Sequence, residues 1–167
     1  MIELAPAVLS RWETFAVVMG GSTASLLGLL FVAVSIRVET IAQSVELRIR
    51  SAQTMALLLT GLLAAVLLAV PGQRRWILGA EYLALALFVT AATVWLDRRA
   101  GGAEGSRVGH LLDAINPTLV ACSLLAVAAV VLLVGHWAGI YFLVPALIAV
   151  LVGGVVNAWL ILVRLTG

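Results

Sequence analysis

The sequence predicts an all-α fold, a polytopic transmembrane helical bundle of about five spans that assembles as an oligomer. Two observations carry the membrane assignment. Of the 167 residues, 63% are apolar and only 11% are charged, whereas roughly a quarter of residues are charged in soluble domains, and the mean hydropathy is +1.18. Apolar runs also recur at the length that matters: about 20 helical residues at 1.5 Å rise cross a hydrocarbon core of about 30 Å. A third observation, a polar seam of small residues inside the first run, points to helix association.

Taken in order, the runs cover 14–36, 53–70, 76–96, 117–134 and 139–163 in one transmembrane domain, 1–167. The fourth is among the shortest, and a re-entrant fourth segment would leave an even number of full spans. Arginine placement orients them, because basic residues stay on the cytoplasmic side. Arg37, Arg48, Arg50, Arg98, Arg99, Arg107 and Arg164 fall on one side and Arg11, Arg74 and Arg75 on the other. The expectation is an N-terminus outside and a C-terminus in the cytoplasm. Trp12, Trp76 and Trp137 at outer boundaries, with Trp95 and Trp159 at inner ones, form two aromatic belts in the same frame. The opening MIELAPAVLSRWE has one acid before its arginine, a second just after it and no basic leader region, so the first span is expected to be retained.

The tight links PGQRR and GHWAG predict two antiparallel hairpins, spans two with three and four with five. Between the first and second spans, Val38, Ile41, Val45 and Ile49 recur at helical spacing opposite Glu39, Gln43, Glu46 and Arg50. That spacing predicts a cytoplasmic amphipathic helix over about 37–50, anchored by Arg37, Arg48 and Arg50 at lipid headgroups or serving as a docking surface. The other long connector, 97–116, contains glycines at 101, 102, 105 and 109 and is expected to begin as a loop, firming up near Leu111. Sliding the second hairpin onto the first by 64 residues pairs Thr54 with Thr118 and Trp95 with Trp159. Such parallel repeats would share an axis along the membrane normal.

Several function classes drop out. All ten basic residues are arginines spread over membrane boundaries, so no nucleic-acid surface is expected. Cys122 is the single cysteine and lies in an apolar run, which leaves neither an intramolecular disulfide nor a cysteine-rich metal site. His110 and His136 fall on opposite membrane sides, so no metal and no cofactor are expected. No HExxH, GxSxG or glycine-rich phosphate loop is present, and a non-enzyme is the expectation.

Three polar features need an explanation. Ala16, Gly20, Ala24 and Gly28 are spaced four apart, widened by Gly21 and Ser25, so one face of the first helix reads as smooth. That face either packs against another helix or, with Ser22, Thr23 and Ser25, lines a hydrated path at an oligomer axis. Glu81 is the one acid inside a span, about 7 Å below the outer belt by helical rise, and is either an ion or proton site or snorkels toward Arg74 or Arg75. Asn157 shares a stripe with Ala149 and Gly153 and is expected to hydrogen-bond across helices, below a kink at Pro145.

The stretch GGSTASLLGLLFVAVSIRVE, followed by a short polar helix and hydrophobic hairpins, resembles a group of small, little-characterised integral membrane proteins of high-GC bacteria. Some of these are labelled modulators of a membrane-bound AAA protease. The resemblance implies a multi-pass protein of the bacterial cytoplasmic membrane. TASLLGLLFVAVSIRVE is also similar to the pore helix of Orai calcium channels, but here the outer mouth lacks an acid and the expected orientation is opposite, so calcium selectivity is not implied. The functional expectation is a homo-oligomer forming a small ion pore or transport path. The alternative is a regulatory or assembly subunit that binds another membrane protein through the first span and the 37–50 helix.

Overall fold

A computed structural model describes residues 4–100 and 117–166, and all regular structure among them is helical. The helices are α1 (Leu4–Ile36), α2 (Val38–Gln43), α3 (Val45–Ala69), α4 (Arg75–Ala100), α5 (Pro117–Val134) and α6 (Leu143–Thr166), with a 3₁₀ turn at Trp137–Phe142 before α6. Five stretches are long and apolar enough to cross a membrane: Arg11–Ile36, Leu47–Ala69, Arg75–Leu96, Pro117–Val134 and Trp137–Ile161. This is the architecture of a multi-pass membrane protein. The connector from 101 to 116, with Arg107 and His110, lies outside the described residues.

Two boundaries differ most from the sequence reading. The second span begins six residues earlier than 53, because Arg48 and Arg50 ride on the first turns of α3 instead of ending it; long basic side chains can reach the interface from inside a helix end. The 37–50 segment is not one helix. Ser44 is extended, with φ −115° and ψ 117°, and its hydroxyl accepts from the Leu47 amide at 3.4 Å, capping α3. A serine that bonds the backbone of the next turn starts a new helix in place of continuing the old one. Val38 and Ile41 therefore sit on α2 while Val45, Arg48 and Arg50 belong to α3. Ile41 is only 4% exposed, whereas Val38 and Val45 are exposed. Val38, Ile41 and Val45 thus do not form one outward row.

Helices α3, α4, α5 and α6 close a ring in chain order, each packing on the next and α6 returning to α3, and α1 lies outside it against α3 and, less, α6. Side chains fill the ring: Leu68, Leu78, Tyr82, Leu125, Leu132 and Leu147 are all buried. The Tyr82 hydroxyl donates to the Ala64 carbonyl at 3.0 Å, giving a fully buried phenol the partner it needs. Close approach at the junctions depends on glycines. A Cβ on Gly61 would stand 2.7 Å from Val150 Cγ1 and 3.0 Å from Thr23 Cγ2, so α1, α3 and α6 meet at that point.

The repeat read from sequence has a counterpart in packing. From Leu57 to Val70 and from Ala121 to Val134, buried, half-buried and exposed residues follow the same order at every position except Thr60 against Leu124. Thr54 and Thr118 are both buried, and Trp95 and Trp159 both exposed.

The hairpin turns meet at one end. Arg75 donates to the Gly135 carbonyl, joining the α3–α4 link to the turn after α5. Gly135 has φ +123°, a conformation that disfavours any residue with a Cβ. The Trp12 ring packs edge-on against Tyr141 at 5.2 Å, bringing α1 to the same end. Helix direction then gathers Arg11, Arg74 and Arg75 here and Arg37, Arg48, Arg50 and Arg98 at the other end. The fourth segment is one unbroken helix of 18 residues, not a re-entrant loop. Pro145 lies in the first turn of α6 and makes no mid-helix kink, since the 3₁₀ turn leads directly into it; an amide missing from a first turn has no helical partner to lose.

Candidate functional site

Successive helical residues are about 100° apart, so a row spaced by four drifts about 40° per step around the helix. The small-residue row of α1 follows that drift. Ala16 is 2% exposed, Gly20 half-buried, and Ala24 and Gly28 exposed, so the row starts on the packed side and ends on the bilayer side. It is two faces and not one seam.

The inner face is Ala16, Met19, Gly20 and Thr23, seated on α3. A Cβ on Gly20 would lie 3.3 Å from Ala65 Cβ. Thr23 is fully buried against Gly61, and its hydroxyl bonds back to the carbonyls of Met19 at 2.8 Å and Gly20 at 3.1 Å. This corrects the grouping of Ser22, Thr23 and Ser25 around one path: two residues apart means about 200° apart, and Thr23 faces the bundle. The outer face is Gly21, Ser25 and Gly28, spaced i, i+4, i+7 near the middle of the span. Nothing lies within 4 Å of a Cβ built on Gly21 or Gly28. Ser25 is exposed, with its hydroxyl bonded to the Gly21 carbonyl at 2.8 Å, and half-buried Ser22 bonds to Val18 in the same way. Val17, Val18, Leu29 and Val32 project around this face, which makes it a shallow notch in the helix surface.

At the other polar position, Glu81 is half-buried on α4 and accepts a hydrogen bond from the Gln73 amide. Neither arginine named from the sequence takes this role, since Arg75 turns to Gly135 and Arg74 is exposed. Gln73 is the residue the sequence reading missed. It is buried on the tight PGQRR link two turns above Glu81, and its own carbonyl oxygen has no partner among the described residues. Gln73→Leu is expected to lower stability by about 1–3 kcal/mol, the cost of leaving a buried polar partner unmatched. Urea or SDS unfolding in micelles reads this, and a second change, Glu81→Leu, is expected to recover part of the loss.

Asn157 is half-buried in the later part of α6, toward the Arg37 end, whereas Glu81 lies near the start of α4 at the Arg75 end, so the two do not meet. Cys122 is a buried free thiol and His136 is exposed. Among the described residues no three His, Cys, Asp or Glu side chains come together. The chain matches no family model, no curated protein and no solved structure.

Proposed function

We propose that copies of this chain associate in the membrane through the outer face of α1, and that a narrow path for a small ion or solute runs where several α1 helices meet. One observation carries the reading: α1 uses Ala16, Gly20 and Thr23 on its own bundle and keeps a second small face, Gly21, Ser25 and Gly28, toward the bilayer. Helices in lipid gain no hydrophobic energy by touching, so association rests on close backbone approach, which small residues permit. The filled interior of the α3–α6 ring argues for a path between copies and not through one. Ser25 and the Gly21 carbonyl supply its polar atoms. The arginine asymmetry supports an N-terminus outside and a C-terminus inside the cell; the proposed path lies in a bacterial cytoplasmic membrane and has no catalytic role.

The test is oxidative crosslinking in native membranes on a Cys122→Ser background. Ser25→Cys is expected to give disulfide-linked dimers, while Phe88→Cys, also exposed, on α4, is expected to stay monomeric. Monomer from both would overturn the reading. A second reading, a subunit that regulates or assembles another membrane protein such as a protease, is supported by exposed Val38 and Val45 on either side of the Ser44 break. It would appear in the same experiment as a Val38→Cys adduct of a mass other than twice the chain.

A further inference from the structure

A groove of about 310 Å³ opens between α1, α2, α3 and α6 at the Arg37 end of the bundle. Its floor is Leu30, Ile41, Leu58 and Gly154, all buried. Gly154 makes the floor low, since a Cβ there would lie 2.5 Å from Leu58 Cδ2. The groove forms because α1 is held to α3 at Gly20 and Thr23 but packs only lightly on α6, leaving a wedge lower down. Leu29, Val155 and Trp159 stand exposed at its edges, so it opens sideways to the bilayer. Of the lining residues only Arg37 is charged, and it is exposed at the mouth.

We infer that this groove seats one acyl chain of an anionic phospholipid from the leaflet at the Arg37 end, with the lipid phosphate against the Arg37 guanidinium. Its length matches that occupant. From Leu26 to Arg37 the groove wall runs 11 residues of helix, about 16 Å at 1.5 Å per residue, and half of a hydrocarbon core of about 30 Å is about 15 Å. The groove is therefore one leaflet deep, apolar where a chain lies and cationic where a headgroup begins. A guanidinium presents paired N–H donors suited to phosphate oxygens. Trp159 on the rim sits at the interfacial level, where indoles concentrate. Leu26, Leu30 and Ala33 lie about 120–180° around α1 from Gly21, so the groove wall and the self-association face are separate sides of the helix, with Leu29 on the ridge between them.

Native mass spectrometry of the full chain, released from micelles holding equal dioleoyl phosphatidylglycerol and dioleoyl phosphatidylcholine, tests the assignment. One phosphatidylglycerol per chain is expected to be retained, about tenfold over phosphatidylcholine. Arg37→Gln is expected to abolish the preference between the two. Ala33→Phe, an exposed wall residue that fills the groove, is expected to reduce retention of both at least tenfold, and Val155→Trp on the opposite rim is expected to do the same. Equal retention by wild type and all three variants would overturn the assignment, as would a lipid-free dimer that loses its second copy on Ala33→Phe.

Discussion

Gly139→Ala is expected to cost about 3 kcal/mol of stability, at the upper end for overpacking a tight contact. The 3₁₀ turn folds back on α5 so closely that a Cβ at Gly139 would lie 2.7 Å from the Ala128 carbonyl oxygen, 2.8 Å from Leu132 Cγ and 3.0 Å from the Leu132 amide nitrogen. Those two backbone atoms are donor and acceptor of one i→i−4 helical bond. Unlike a side chain, the helix backbone cannot swing aside, so the turn must lift off or the bond must stretch. Unfolding midpoints in micelles measure the loss. Gly21→Ala in the same assay is expected to leave stability unchanged or raise it by up to about 1 kcal/mol, because nothing surrounds that position and alanine is the better helix former. Equal stability of the two variants would mean that the turn does not pack on α5 as described.

The double variant Gly21→Leu with Gly28→Leu has the largest expected effect on function. Within one chain the new side chains meet no neighbour, so the unfolding midpoint is expected to stay near wild type. Between chains they fill the notch and hold helix axes apart, removing the close contact on which association in lipid depends. Dilution of fluorescently paired copies in liposomes is expected to show dimer affinity falling at least tenfold, which corresponds to about 1.4 kcal/mol, with ion flux falling alongside. A folded double variant that associates and conducts as wild type does would sink the proposed function. Gly61→Leu supplies the contrast, since its side chain would strike Val150 and Thr23 and is expected to lower stability itself.

Span number, the two hairpins and the tight links were legible in the sequence, because length and hydropathy alone decide which helices can cross a bilayer. The division of labour along α1 was only half legible. Spacing by four identified the small residues, but the drift of that row past the 3.6-residue turn decides which ones face α3, and the position of α3 is a tertiary fact. Glu81 stood out by charge, yet its partner did not: arginines flank the site and attract attention, while Gln73 becomes the donor only because the link folds over the start of α4. The 37–50 segment misled for a similar reason. Its apolar period is continuous across Ser44, and the serine cap that interrupts the backbone outweighs the pattern.

The arrangement of α1 also bears on how the protein is made. Helices leave the ribosome in order, so α1 enters the membrane before any part of its seat exists. Its first partner arrives with Gly61 and Ala65 of α3, but Val150 belongs to α6, which is synthesised later. Until α6 inserts, α1 is held on one side only, and its Gly21 face is already free to meet an α1 from a neighbouring ribosome. In the proposed assembly, contact between chains thus begins before folding within a chain is finished.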